Sequence, residues 1–333
     1  MKPVLIIGTG GIGKRHIRGF LKTGRTELHV VEPDAVKREE VLSAYPVKAG
    51  FADIRETDLA RYAAAVIGAP AHVHIPLGQA CADAGLPFLL EKPLAVTLDG
   101  VDRLVETVRR RKLVVRVAYV RRAGRETIEL HRQLKAGRIG EVKTCWINAS
   151  QEFPKYRPDY QKTYYAKKAM GGGAILDAAS HMIDLLIWVL GDVSEVTAMY
   201  DRLVLQGVEA EDTAVISLRF RSGAIAQINM NQFQKPNESI INFAGLKGNL
   251  ALEFSKLKFA DNDSGQWEIT DYMAGLDPMA AHEARFALQA AMFLDAVEGK
   301  PCHLTTLDEA RANLRVALAA KESYETKRII SLM

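Results

Sequence analysis

Three short stretches of this 333-residue chain hold residue types that together could move a hydride and a proton. Gly8-Thr9-Gly10-Gly11-Ile12-Gly13 follows a short apolar run. Glycines at this spacing let a backbone turn tightly and approach a pyrophosphate, with a helix N-terminus behind them to favour the phosphate charge. Leu89-Leu90-Glu91-Lys92-Pro93-Leu94 sets a lysine at the end of another apolar run, where an ammonium could stabilise charge developing on an oxygen. Gly171-Gly172-Gly173-Ala174-Ile175-Leu176-Asp177-Ala178-Ala179-Ser180-His181 spaces a carboxylate and an imidazole four positions apart, on one face if the segment is helical. An imidazole titrates near neutral pH and suits general acid–base work.

The elements that must carry these residues follow from the patterning. Residues 4–7 read as a strand, then comes the glycine turn, then a helix through Ile17, Phe20 and Leu21. A second strand over 28–31 ends at Glu32, about twenty residues after Gly13, where an acid would hold the adenosine ribose hydroxyls. Glu32 points to NAD over NADP, because a carboxylate repels a 2′-phosphate. Lys14, Arg15, Lys37 and Arg38 keep NADP open, since any of them could reach a phosphate. Strands over 63–68, 88–90 and 114–118 alternate with helices over 74–84 and 98–111. Such alternation means a doubly wound parallel sheet with ligands at the carboxyl ends of its strands.

From about residue 142 the pattern changes. Runs at 142–147, 196–200, 214–220, 224–230 and 239–243 are strand-like, with tight connections at Arg221-Ser222-Gly223 and Lys247-Gly248-Asn249. Short turns imply antiparallel neighbours, so this half reads as an open, mostly antiparallel sheet with helices on one face. Between its first two strands, the connection over 151–192 holds Lys155, Tyr156, Arg157, Asp159, Tyr160, Tyr164, Tyr165, Lys167 and Lys168, and connections of that length are usually functional. Asp177, His181 and Asp184 share one face of the helix after the three glycines, and the other positions are apolar. Buried charge calls for a partner or a task; a core hydrogen-bond network suits Asp184. The chain divides into a Rossmann domain over 1–120 and an α+β domain over 121–333 for substrate binding and oligomerisation.

Composition narrows the classes. With 48% hydrophobic residues, there is enough apolar material for one large or two medium cores. The net charge of +4 comes from 44 basic and 40 acidic residues with no basic stripe, which argues against a nucleic-acid partner. Cys81, Cys145 and Cys302 form neither a disulfide framework nor zinc spacing, pointing to a reducing cytoplasm and no metal. Met1-Lys2-Pro3 runs straight into a strand, so no leader is expected. No apolar run reaches membrane-spanning length and no membrane partner is expected.

Ala69-Pro70-Ala71-His72-Val73-His74, Ala84-Gly85 and Glu91-Lys92-Pro93-Leu94 resemble the proline-to-histidine turn and the Glu-Lys-Pro motif of the Gfo/Idh/MocA oxidoreductases. The resemblance continues through Val117-Ala118-Tyr119-Val120-Arg121-Arg122, Gly137-Arg138-Ile139-Gly140-Glu141-Val142 and the Asp177/His181 segment, nearly the whole chain. It implies an NAD(P)-dependent dehydrogenase or reductase acting on a secondary hydroxyl or ketone of a sugar, sugar acid or cyclitol. It adds Ala69, Pro70, His72, His74, Glu91 and Lys92 to the cofactor contacts at Gly8–Gly13 and Glu32. It makes Lys92, Asp177 and His181 catalytic, and Tyr119, Arg121, Arg122 and Tyr164 substrate-binding beside them. A substrate hydroxyl would bind between Lys92 and His181, with either group the principal proton donor. The resemblance also implies a cis Lys92-Pro93 bond and a homodimer or homotetramer that covers the open sheet face. Two departures stand out: Ala69, where the family has a small polar residue, and Ala123, where a Phe is common. Arg121 and Arg122 could bind an acid-bearing substrate through paired hydrogen bonds, or Arg122 could be structural. Two readings from other classes remain, an NAD-dependent glycosidase that oxidises its substrate transiently and a non-catalytic cofactor-binding sensor.

Overall fold

A computed structural model describes residues 3–332; Met1 and Lys2, on which the expected absence of a leader rests, lie outside them. The chain forms two compact units. The first takes the chain up to Ala123 together with Asp277–Ala310. Its seven strands lie in the order Thr305–Thr306, Val115–Val117, Phe88–Leu90, Ala64–Ile67, Val4–Ile7, Leu28–Val31, Ala49–Phe51. Every pairing is parallel except that of Thr305–Thr306 with Val115–Val117. Strand order reverses between Val4–Ile7 and Ala64–Ile67, and sheets of this kind bind ligands outside the carboxyl ends at that reversal. The central strands are buried without alternation, as a sheet covered on both faces requires.

Register turns this topology into a site. Ile7 pairs with Val31 and with Ile67, Ile67 with Leu90, and Leu90 with Val117. The residues that follow them, Gly8, Glu32, Gly68, Glu91 and Ala118, therefore leave the sheet in one row. Helix Gly11–Thr23 packs along helix Pro278–Val297. Gly19 permits the close approach, since a Cβ there would lie 2.8 Å from the Phe286 carbonyl oxygen. Phe20 meets Phe293 edge-on with ring centroids 6.4 Å apart, in a core with Ile17, Ala290 and Leu294. These contacts bring Asp277–Ala310 back to the first unit, whereas a single cut after residue 120 assigned it to the second. An apolar helix pattern says that a face is buried, not against which partner.

The second unit comprises Gly124–Leu276 and the chain from Arg311. Its sheet has nine strands, in the order Glu268–Asp271, Lys256–Asp261, Gly248–Glu253, Ser239–Gly245, Val142–Ser150, Ile225–Asn231, Thr213–Phe220, Val193–Asp201, Ile330–Ser331. Pairings are antiparallel except for Val142–Ser150 with Ile225–Asn231, which no hairpin joins. Alternation turns Cys145, Ile147, Ile216, Ile228 and Phe243 to the buried face. Trp146, Met199 and Ile225 stand exposed on the other. Lys168–Leu190 is, contrary to expectation, long and apolar enough to cross a membrane by length and composition, yet 72% of its most apolar window is buried inside the protein.

Candidate active site

The glycine loop is built for a close ligand. Gly8 has φ +88°, and a Cβ there would lie 2.9 Å from the Ala69 nitrogen; a Cβ on Gly13 would lie 2.0 Å from the Gly8 carbonyl oxygen. Both positions therefore need glycine. A Cβ at Gly10 or Gly11 would meet nothing within 4 Å. The open side of the turn thus lies where helix Gly11–Thr23 begins, which fits the approach of a pyrophosphate. Glu32 is 8% exposed. One of its oxygens accepts from the Thr9 N–H and hydroxyl, both at 2.9 Å, and the other from the Asp34 N–H at 3.2 Å. The Arg38 guanidinium donates to the Glu32 carbonyl oxygen at 2.6 Å, so it braces this turn.

Two further segments of the row are tied down by buried side chains. Glu91 bonds His16 Nε2 at 2.7 Å through one oxygen and accepts from the Lys92 N–H at 3.0 Å through the other. It links the helix behind the glycine loop to the Lys92 turn, where the Lys92-Pro93 bond is cis. His74 is expected among the cofactor contacts. Its ring is buried, with Nε2 facing the Ala69 carbonyl oxygen at 2.8 Å and Nδ1 that of Pro93 at 2.9 Å. Burial holds its pKa below the usual value against the pull of these carbonyls and of Glu91. His74 is a tether between the 69–70 turn and Pro93, whereas His72 is exposed and Pro70 starts a short 3₁₀ turn.

Arg122 has two readings, substrate contact or structural support, and its surroundings support the second. The guanidinium is buried and donates to Glu309 Oε1 at 3.0 Å. Glu309 Oε2 accepts from the Thr306 N–H and hydroxyl. Burial, the largest single influence on the Glu309 carboxyl, pushes its pKa up, but the charge of Arg122 and the bonds from Arg122 and Thr306 outweigh it and hold it below the usual range. Arg122 is thus engaged inside the first unit. Tyr119 is buried and Arg121 half-buried.

In the second unit the segment after the three glycines is not α-helical from its start. Ala174–Ala179 forms a π-helical turn, and the α-helix runs over Ser180–Leu190. Such turns recur at functional sites. Asp177 sits on the π-turn and His181 one residue into the α-helix, both half-buried. The Tyr164 hydroxyl donates to Asp177 Oδ1 at 2.8 Å, so the long connection delivers at least one group to this carboxylate. That connection is packed: Phe153, Tyr160, Tyr165 and Ala166 form a small core with Leu205 and Val208. Asp184 is buried, as a core role requires.

Residues that sequence reasoning passed over support the same segment. Asn313 Nδ2 donates to the Ser180 carbonyl oxygen at 2.7 Å, and the Ser180 hydroxyl to that of Leu176 at 2.7 Å. Glu211 accepts from the first N–H groups of the π-turn. The one available signal was a pair of adjacent carboxylates, Glu211-Asp212, directly before an alternating apolar run. Among the described residues, no group of three or more His, Cys, Asp or Glu side chains is gathered as for a metal ion.

A family model described as an oxidoreductase family with an NAD-binding Rossmann fold matches residues 2–119, and one for the GFO/IDH/MocA C-terminal domain matches residues 127–251. The chain is 25% identical over 341 residues to the myo-inositol 2-dehydrogenase of Thermotoga maritima, covering 98% of this chain and 97% of that protein. Its fold is similar to that of a levoglucosan dehydrogenase solved with NADH and levoglucosan, with TM-score 0.87, 20% identity and 99% and 98% of the two chains covered. It is also similar to an oxidoreductase from Agrobacterium radiobacter solved with NAD+, L-tartaric acid and magnesium, with TM-score 0.86, 18% identity and the same coverage.

Proposed function

The chain belongs to the GFO/IDH/MocA oxidoreductase family, and from that premise we propose that it moves a hydride between NAD and a secondary hydroxyl or ketone of a sugar, sugar acid or cyclitol. The observation that carries this reading is the single row of Gly8, Glu32, Gly68, Glu91 and Ala118 at the carboxyl edge of the Rossmann sheet, with Lys92 directly after it. The names of the relatives support the substrate class, one acting on myo-inositol and the other solved with levoglucosan.

When bound, NAD supplies the hydride acceptor for oxidation, and its reduced form the donor for reduction. The backbone at Gly10 and Gly11 holds the pyrophosphate, and Glu32 receives the adenosine ribose. Lys92 holds the reacting oxygen and stabilises alkoxide charge. His181 removes the hydroxyl proton in oxidation and returns it in reduction. Asp177, oriented by Tyr164, anchors a neighbouring substrate hydroxyl. His74 and Glu91 keep the 69–70 and 92–93 turns in place.

The exposed sheet face bearing Trp146, Met199 and Ile225 pairs with a second copy in a dimer or tetramer, since an apolar set of this kind marks an interaction surface.

The test is reduced-nicotinamide absorbance on purified protein with NAD and with NADP, across myo-inositol, other cyclitols, levoglucosan and sugar acids. NAD-linked turnover of one of these is expected. A hydrolase would release product without net NADH, and a sensor would bind NAD and turn over nothing; either result overturns the reading.

A further inference from the structure

We propose that Glu211, together with its neighbour Asp212, is the positioning residue of the segment that carries Asp177 and His181. Its catalytic consequence rests on the oxidoreductase reading, while its structural half stands without it. The two residues lie directly before strand Thr213–Phe220, and both are buried.

Glu211 grips the start of the π-turn twice. Its backbone oxygen accepts from the Ala174 N–H at 2.8 Å, and its Oε1 from the Ile175 N–H at 3.1 Å. These are the first donors of the turn, which no carbonyl within a helix can satisfy, and a carboxylate there also meets the positive end of the helical dipole. The seat is cut to fit. Gly173 has φ +104°, and a Cβ there would lie 2.6 Å from the Glu211 carboxylate carbon. Lys321 Nζ lies 3.6 Å from Oε1 as the nearby cation. Oε2 is buried without a hydrogen-bond partner among the described residues, so the bonds of this carboxylate go to the turn.

Asp212 grips the other side. Its Oδ1 accepts from the Leu203 N–H at 3.0 Å, and its Oδ2 from those of Val204 and Leu205 at 2.8 and 2.7 Å. Leu205 packs in the small core with Tyr160 and Tyr165, and the Glu209 N–H bonds the Ala166 carbonyl oxygen at 2.8 Å. Tyr164, whose hydroxyl reaches Asp177, belongs to that same stretch. Burial raises the pKa of the Tyr165 phenol, and the charges of Asp177, Glu211 and Asp212 raise it further. Two side chains adjacent in sequence thus hold, separately, the turn under Asp177 and the 203–205 loop, whose Leu205 packs with the stretch that carries Tyr164. A shift of either would misplace Asp177 without touching substrate.

The test uses the full chain with Glu211→Ala, Glu211→Asp and Glu211→Gln. Amide hydrogen exchange is followed over residues 174–181, with NADH affinity by fluorescence and kcat and KM on the substrate found by screening. Glu211→Ala should lose protection at 174–181 before the rest of the sheet and lose roughly ten- to a hundredfold in kcat, the scale of a small misplacement, with NADH affinity unchanged. Glu211→Gln keeps an acceptor within reach of Ile175 and should recover most of both losses. Glu211→Asp keeps the charge but not the reach and should not. Unchanged protection at 174–181 in Glu211→Ala, or a loss spread evenly over the second unit with kcat falling only as far as the folded fraction, overturns the proposal. If Glu211→Ala does not fold, equal protection in the Asp and Gln variants overturns it. Exchange needs no substrate, so a wild type that turns nothing over would refute the oxidoreductase reading and leave the anchoring test intact.

Discussion

Thr9 gives both its backbone N–H and its hydroxyl to one oxygen of Glu32, each at 2.9 Å. The acid at the end of the second strand therefore also latches the glycine loop. Charge and latch are separable. Glu32→Gln keeps an acceptor for Thr9 and removes the repulsion toward a 2′-phosphate, so NADP affinity should rise relative to NAD by roughly tenfold or more. Glu32→Ala loses the latch as well and should weaken both cofactors. Fluorescence titration of each variant with each cofactor decides, and tighter NADP than NAD binding in the wild type would contradict the expected preference.

The Tyr164–Asp177 hydrogen bond should matter to turnover more than to folding. Hydrogen bonds to charged groups contribute about 1.5–3 kcal/mol, so Tyr164→Phe should lower kcat by roughly tenfold or more, with the KM for NAD and the melting temperature little changed. An unaltered kcat would mean that Asp177 needs no such partner.

Lys92 and His181 should fail in different ways from the cofactor loop. His181→Ala removes a general acid–base and should cost roughly a hundred- to ten-thousandfold in turnover. Lys92→Ala should cost a similar factor through lost charge stabilisation. Neither should much weaken NAD binding, and the double variant should lose less than the product of the singles, because groups that act as a unit are not additive. Single-turnover hydride transfer is the measurement; near wild-type rates in both single variants would move the chemistry to Asp177, Tyr164 or Tyr165.

Arg122 and Glu309 make a pH-dependent contribution to stability. The Glu309 carboxyl titrates below its usual range in the folded protein because Arg122 and Thr306 overcome the effect of burial. A carboxyl depressed in this way adds stability that is complete above its unfolded pKa, about 4.3, and is lost as pH falls through the folded value. Glu309→Gln should therefore melt earlier than wild type at pH 7, with the gap closing under acid. Arg122→Ala leaves a half-buried carboxylate without its cation and should cost about 1–3 kcal/mol in denaturant unfolding, while leaving any preference for acidic over neutral substrates unchanged. A selective loss toward acids would return Arg122 to substrate binding.

The face bearing Trp146 and Ile225 should control assembly. A paired Trp146→Glu, Ile225→Glu variant should shift light-scattering mass toward the monomer while leaving far-UV circular dichroism intact. A wild type that is monomeric across a wide concentration range would refute the dimer or tetramer.

Much of the fold was legible in the chain because its signals are local. The apolar run at Val4–Ile7, the glycine spacing after it and the acid ending Leu28–Val31 each lie within one element, and alternating strands and helices leave few topologies to choose from. The mostly antiparallel sheet followed from short turns such as Arg221-Ser222-Gly223. The parallel pair Val142–Ser150 and Ile225–Asn231 did not, because no turn joins them. The return of helix Pro278–Val297 to the first unit was hidden for a similar reason, since it depends on Gly19 yielding to the backbone at Phe286.

The candidate site divides along the same line. Residue type and spacing by themselves picked out the glycine loop, the acid at 32, the lysine at a strand end and the carboxylate–imidazole pair at 177 and 181, because each is a short-range pattern of residue types suited to a particular chemistry. Only the tertiary structure decided that His74 faces two backbone carbonyls, that Arg122 is committed to Glu309, and that Asp177 rides on a π-turn held by Glu211. Each of these rests on a hydrogen bond or ion pair whose partner is not set by local periodicity. A buried polar group is satisfied by whatever the fold brings beside it, and only the packed chain says what that is.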